Sequence, residues 1–114
     1  MIYAAYAQYH PEELKIVGVA DPVAQRRQQV AELYSLPLSR CFATAEEVAA
    51  VPKFADVVIN GTMDHQHVAT AIPLLNAGYD MLLEKPFATS EAEMWKLVDV
   101  AKRNDSKVMI CHVL

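Results

Sequence analysis

The chain predicts an α/β domain, a doubly wound parallel sheet of the Rossmann type. Three observations carry this. Short, nearly all-apolar runs alternate with helical patterns at a spacing of about 25 residues, the length of a βαβ repeat. The runs lack the polar alternation of one-sided strands, as expected for a parallel sheet covered on both faces. Capping and turn residues fall where each run gives way to a helix.

Residues 1–9 read as a helix with a stripe of Ile2, Tyr6 and Tyr9 separated by alanines, stopped by His10-Pro11. Residues 15–20 (KIVGVA) form a short buried strand. Asp21 then caps a helix that accepts Pro22 in its first turn and runs to about Tyr34. Residues 40–43 allow a brief strand, and Thr44 with Glu47 makes a capping box for a short helix ending before Pro52. Residues 55–60 (ADVVIN) are the next strand. The helix after it shows Val68, Ala71, Ile72 and Leu75 on one face and stops at Gly78, and Pro73 should kink it by removing the bond to Ala69. Residues 80–83 are a strand. Ser90 and Glu93 cap a long helix with Met94, Leu97, Val98 and Ala101 on its apolar face, and residues 107–111 close as a strand.

The 114 residues leave room for one domain, 1–114, and one modest core. A hydrophobic fraction of 54% against 21% charged residues excludes a disordered chain. No apolar run approaches the roughly 20 residues of a membrane span, and the opening Met1-Ile2-Tyr3 lacks the basic and apolar regions of a signal peptide. Cytoplasm is the expected compartment, with no membrane partner. A net charge of −4 with dispersed basic residues argues against a sequence-independent nucleic-acid surface. Cys41 and Cys111 sit in apolar, strand-like context and read as buried free thiols of a reducing compartment rather than a disulfide or metal pair. Four histidines without a C-x-x-C or H-E-x-x-H partner give no metal signature.

Chemistry is expected where strands end, because open α/β sheets bind ligands at the carboxyl ends of their strands. Asp21 follows a strand and precedes a helix. Its carboxylate can accept hydrogen bonds from the vicinal hydroxyls of an adenosine ribose and repel a 2′-phosphate, or it can cap its helix; the two roles are compatible. Arg26 and Arg27, one turn on, can reach a phosphate or form a solvated helix face. The segment 60–67 leaves a strand and enters a helix, where small and polar residues admit a cofactor and the helix start favours an anion. Within it Asp64 suits an N-cap, and His67 faces either solvent or the cleft. Glu84-Lys85-Pro86 ends a strand: a lysine can hold a substrate hydroxyl or share its proton, a carboxylate beside it can orient it, and the proline stiffens the turn. His112, just past the last strand, is either at the same crevice edge or a structural histidine.

Read together, VADP at 19–22, the loop 62–67, AGYDMLLEKPFATS at 77–90 and the closing VMICHVL resemble the Gfo/Idh/MocA oxidoreductases over essentially the whole chain. The AG…LLEKP stretch is the most specific part. The resemblance implies a nucleotide-binding domain followed by an α/β domain, and oxidation or reduction of sugars, inositols and related polyols with NAD(H) or NADP(H). By position, Asp21 would bind the adenosine ribose, which favours NAD over NADP. Thr62 and His67 would line the cofactor's path. Glu84 would lie near the nicotinamide ribose, Lys85 would touch substrate and nicotinamide as the catalytic residue, and Pro86 would fix that turn.

The chain departs from the family's pattern. Members begin with a strand and a glycine-rich turn that binds the pyrophosphate; here Gly18, Gly61 and Gly78 are the only glycines and none makes that pattern. Residues 1–9 correspond to the helix after that turn, so the expectation is an incomplete domain without its first strand and without the C-terminal α/β domain, inactive alone. The first strand is central in the order 3-2-1-4-5-6. Its loss leaves the strands at 15–20 and 55–60 to pair directly, to accept a strand from another chain, or to stay marginal; self-pairing into a homo-oligomer follows from the second case. Two other functions fit the same residues: a non-catalytic nucleotide-binding or scaffolding module, and a glycosidase assisted by bound NAD.

Overall fold

Every strand pairing among the described residues of the computed structural model, which are 2–62, 66–84, 88 and 90–111, is parallel. The strands lie in two ladders, β1-β2 and β3-β4-β5, with helices between successive strands. The chain divides into two compact units, Met1–Glu47 and Val48–Leu114. The α/β parallel class expected from the sequence is what is found.

In the first unit, α1 (Ile2–Tyr9) is followed by β1 (Val19–Ala20), α2 (Ala24–Tyr34), a 3-10 turn at Leu38–Arg40, β2 (Cys41–Phe42) and α3 (Ala45–Ala49), which straddles the division. The register pairs Val19 with Cys41 and Ala20 with Phe42, and Asp21 N–H extends the pairing by donating to Phe42 O at 3.0 Å. Only two residues of the expected strand 15–20 are in the ladder, because β2 offers just two residues to pair with. Tyr6 and Tyr9, expected on an apolar stripe, are exposed, while Ala7 is buried. Their rings are amphipathic: Tyr6 stacks on His10 and its hydroxyl donates to Glu13, which raises the phenol's pKa above its ordinary value. Helix α2 ends on Ser35, a left-handed residue at φ 55°, with Leu36 N–H on Ala31 O at 2.8 Å. The box expected at α3 forms: Glu47 N–H donates to Thr44 Oγ1 at 3.2 Å, and the Glu47 carboxylate accepts from Ala43 N–H at 2.7 Å, one residue earlier than the standard arrangement. Cys41 is half-buried rather than buried, its thiol near Pro37 O.

The second unit carries β3 (Val57–Asn60), α4 (His67–Asn76), β4 (Asp80–Glu84), α5 (Glu91–Arg103) and β5 (Val108–Cys111). Strand β4 is central and alternates buried Met81 and Leu83 with half-buried Asp80, Leu82 and Glu84. Helices α4 and α5 pack on each other, and α4 packs on β3 and β4. The core of this unit is Val68, Ala71, Leu74 and Leu75 of α4, Leu97 and Val100 of α5, and Val48, Tyr79, Met81 and Leu83. Burial of a side chain such as Leu75 or Leu83 contributes about 2 kcal/mol. Val100 replaces Met94, Val98 and Ala101 as Leu97's fully buried companion, since those three lie half-buried at the rim of the same stripe. On α4 it is Leu74 rather than Ile72 that is buried, because the helix presents a face centred between positions 71 and 75.

The helix ends are closed by local chemistry. Gly78 (φ 93°) terminates α4 in a Schellman motif, with Gly78 N–H on Leu75 O at 3.0 Å and Tyr79 N–H on Leu74 O at 3.2 Å. Pro73 lies inside a helix that nevertheless continues to Asn76. Ser90 Oγ accepts from Glu93 N–H at 3.2 Å, the cap expected for α5. The other end of α5 repeats the Schellman pattern on Asp105 (φ 51°), with Asp105 N–H on Lys102 O and Ser106 N–H on Ala101 O. Asp80 Oδ1 accepts from Lys107 N–H at 2.9 Å and so ties the start of β5 to β4. No helix among the described residues is long and apolar enough to cross a membrane.

Candidate functional site

Asp21 sits at the carboxyl end of β1, held by three bonds. Its N–H is on Phe42 O, its carbonyl accepts from Arg27 Nη1 at 2.7 Å, and its Oδ1 accepts from Val23 N–H at 2.8 Å. The last bond is an Asx turn, and the residue at the N-cap position is Val23, without a side-chain cap. Asp21 therefore does not cap α2 in the expected way: the two residues Pro22 and Val23 intervene, so its carboxylate orders the turn ahead of the helix. Arg27 is half-buried and braces the same turn, while Arg26 is exposed. The carboxylate keeps Oδ2 clear of any bond to the described residues. That suits a vicinal diol, which needs an acceptor at a fixed position.

In the second unit the site is the turn leaving β3. Asn60 ends that strand in register with Leu83 of β4, so Glu84 is one step beyond this pair on the neighbouring strand. Thr62, half-buried, and Asn60 are joined: Thr62 Oγ1 donates to Asn60 Oδ1 at 2.8 Å and Thr62 N–H to the same oxygen at 3.2 Å. His67 opens α4 and is wholly buried, its Nε2 2.6 Å from Thr62 O. Sequence reasoning set His67 between solvent and cleft; its burial followed from α4 turning its first residue inward beside Val68. Thr70, which that reasoning did not single out, joins the cluster by accepting from Asn60 Nδ2 at 3.0 Å and donating to Gln66 O at 2.7 Å. A Thr three residues after a helix-opening His was the available signal. Glu84 is half-buried at the end of β4. Lys85, Pro86, Asp64 and His112 lie outside the described residues.

The structure thus gathers Thr62, His67, Asn60 and Thr70, places Glu84 on the adjacent strand end, and sets Asp21 at a strand end of the other unit. Among the described residues, one histidine–carboxylate group, His10, Glu12 and Glu13, brings ligand atoms within 4.8 Å of one another. It lies on the turn after α1, and Glu13 is engaged there by Tyr6.

A family model described as an oxidoreductase family with an NAD-binding Rossmann fold, Gfo/Idh/MocA, matches residues 2–112. The trans-1,2-dihydrobenzene-1,2-diol dehydrogenase of Danio rerio is 32% identical over 98 residues, 86% of this chain and 28% of that protein. The WlbA dehydrogenase from Chromobacterium violaceum, solved in complex with NADH and UDP-GlcNAcA, superposes with a TM-score of 0.83 at 22% identity, over 92% of this chain and 29% of its own. An NAD-binding protein from Listeria innocua gives a TM-score of 0.69 at 29% identity, over 83% of this chain and 27% of its own. The chain spans less than a third of the length of each.

Proposed function

Since the chain belongs to the Gfo/Idh/MocA family of NAD-binding oxidoreductases, we propose that it forms nucleotide-binding parts of an enzyme that moves hydride between a nicotinamide dinucleotide and a carbinol carbon. The substrate class is a sugar, inositol or related polyol. The diol in the zebrafish relative's name, a ring bearing two adjacent hydroxyls, belongs to the same chemical class. The observation that most supports the reading is the end of β3: a parallel strand turns through Asn60 and Thr62 into α4, beside the strand that ends at Glu84. This is the kind of place where open α/β sheets receive a ligand.

The family resemblance assigns a ribose to one residue in each unit, taken separately. Asp21 offers an anchored carboxylate to the adenosine ribose, and its charge opposes a 2′-phosphate, so NAD is the assigned cofactor and NADP the disfavoured one. Glu84 is assigned to the nicotinamide ribose. A glycine-rich pyrophosphate turn is not made by the chain's three glycines, and no atom of the described residues lies within 4 Å of where a Gly61 Cβ would stand. When bound, the nicotinamide supplies the hydride acceptor or donor. Lys85 holds the substrate hydroxyl and shares its proton as the carbon changes oxidation state. Pro86 is assigned to the same corner by the resemblance, since a proline ring restricts the backbone next to Lys85.

A chimera tests the catalytic assignment: this chain in place of the matching segment of the zebrafish relative, assayed for NAD-linked oxidation of cyclic diols and sugars. Lys85→Ala in that chimera should lower kcat on the order of 100-fold or more. A rate equal to that of the parent chimera removes Lys85 from the chemistry.

A further inference from the structure

The turn after β3 contains a buried polar side chain that no role described so far uses. Asn60 is 4% exposed and commits its whole amide to Thr62 and to neighbours on α4 and β4. Its Oδ1 accepts both the N–H and the hydroxyl of Thr62, at 3.2 and 2.8 Å. Its Nδ2 points to Thr70 Oγ1 at 3.0 Å and His67 O at 3.3 Å, with Met81 Sδ at 3.8 Å. Thr70 has one hydroxyl proton, which goes to Gln66 O at 2.7 Å, so its lone pair is available to Asn60. On the other side of Thr62, the carbonyl can only accept, so His67 Nε2 at 2.6 Å carries the proton and donates to it. No buried polar side-chain atom among the described residues lacks a partner.

Three groups of Thr62 are thus held by Asn60 and His67, and Thr70 Oγ1 lies 3.2 Å from the Thr62 hydroxyl as well. Asn60 grips its N–H and hydroxyl from the strand, and His67 grips its carbonyl from the helix. The hydroxyl is directed inward onto Asn60 rather than outward to a ligand. A buried, fully satisfied network of this kind specifies one backbone shape, and half-satisfied versions of it are costly.

We propose that Asn60 and His67 are positioning residues that clamp Thr62 from both sides, fixing the backbone at Thr62, just past the end of β3, against which the dinucleotide binds. The proposal rests on the nucleotide-binding reading above for its consequence, though not for the clamp itself. It gives His67 a donor's role toward the backbone instead of a ligand's role toward the cofactor. It also gives Thr62 a contribution through backbone shape rather than through its hydroxyl.

Two substitutions separate donor from volume. His67→Gln retains an N–H donor of similar reach, and His67→Phe retains a buried ring without one. Amide hydrogen exchange of the 114-residue chain, read by NMR, follows the Thr62 N–H that Asn60 holds and reads the His67 bond to the Thr62 carbonyl through the backbone they share. His67→Phe should speed exchange at Thr62 about tenfold relative to amides of β4, and His67→Gln should restore most of the protection. Long-range 15N–1H spectra of the parent should show the proton of His67 on Nε2. Titration with NAD then reports the consequence: affinity about tenfold weaker for His67→Phe, and close to the parent for His67→Gln. Equal exchange at Thr62 in all three proteins overturns the clamp, as does a uniform loss of protection across the whole second unit in His67→Phe. Loss of NAD binding in His67→Gln equal to that in His67→Phe, with Thr62 still protected in His67→Gln, shows the ring itself is a ligand and overturns the positioning role. A parent chain that ignores NAD while the exchange pattern holds defeats the nucleotide reading and leaves the clamp standing.

Discussion

Asp21 shows how one residue can be set by its backbone and still offer a charge. Its N–H, carbonyl and one carboxylate oxygen are fixed by Phe42, Arg27 and Val23, so the remaining oxygen has a defined position without a costly rotamer search. Asp21→Asn preserves the acceptor for Val23 N–H but removes the charge and replaces the free oxygen with an NH2 donor. The NAD-to-NADP affinity ratio should fall about tenfold in that variant, measured by calorimetry, because the repulsion of a 2′-phosphate disappears while the turn survives. Arg27→Met should lower affinity for both cofactors together, since it loosens the turn without altering the charge on Asp21. The residue identities were legible in the sequence at this scale, and so was their address at strand ends. Their partners were not. That Asp21 makes an Asx turn, or that Asn60 and His67 meet on Thr62, depends on rotamers and on the angle at which α4 leaves β3, which no spacing rule encodes.

The start of α3, the end of α4 and the start of α5 were legible because their chemistry is local, whereas the cap expected from Asp21 on α2 became an Asx turn ahead of the helix. Ser90 on Glu93 and Thr44 on Glu47 are bonds between residues three apart, and Gly78 takes the left-handed conformation that its position after Asn76 requires. Ser90→Ala should cost about 1 kcal/mol in urea unfolding. Asp105 occupies the same left-handed position after α5 that Gly78 occupies after α4, with a side chain that carries a steric penalty there. Asp105→Gly should therefore stabilise the chain by roughly 0.5–1 kcal/mol in the same measurement, against the usual direction for glycine substitutions. Strands were less legible, since a strand's length is set by its partner. The apolar run 15–20 reads as six residues of strand, yet its ladder is two residues long because β2 is. In contrast, β4 has partners on both sides, and its run is in the ladder from Asp80 to Glu84.

For the whole molecule, the two units differ in how much they bury. Helix α2 has no buried residue, whereas α4 alone buries five. Hydrogen exchange should reflect this: amides of β4 and α4 should be the slowest in the chain, and those of α2 should exchange at least about tenfold faster. Parallel pairing and α/β order were legible as the alternation of apolar runs and capped helices, while the division into two ladders was left open between three arrangements. The central claim is that this chain contributes a dinucleotide site selective for NAD. Calorimetric titration of the 114-residue chain with NAD and with NADP, each up to about millimolar concentration, tests it most directly. Saturable heat with NAD and markedly weaker binding of NADP is the predicted result; equal affinity for the two, or no heat and no thermal shift with either, contradicts it.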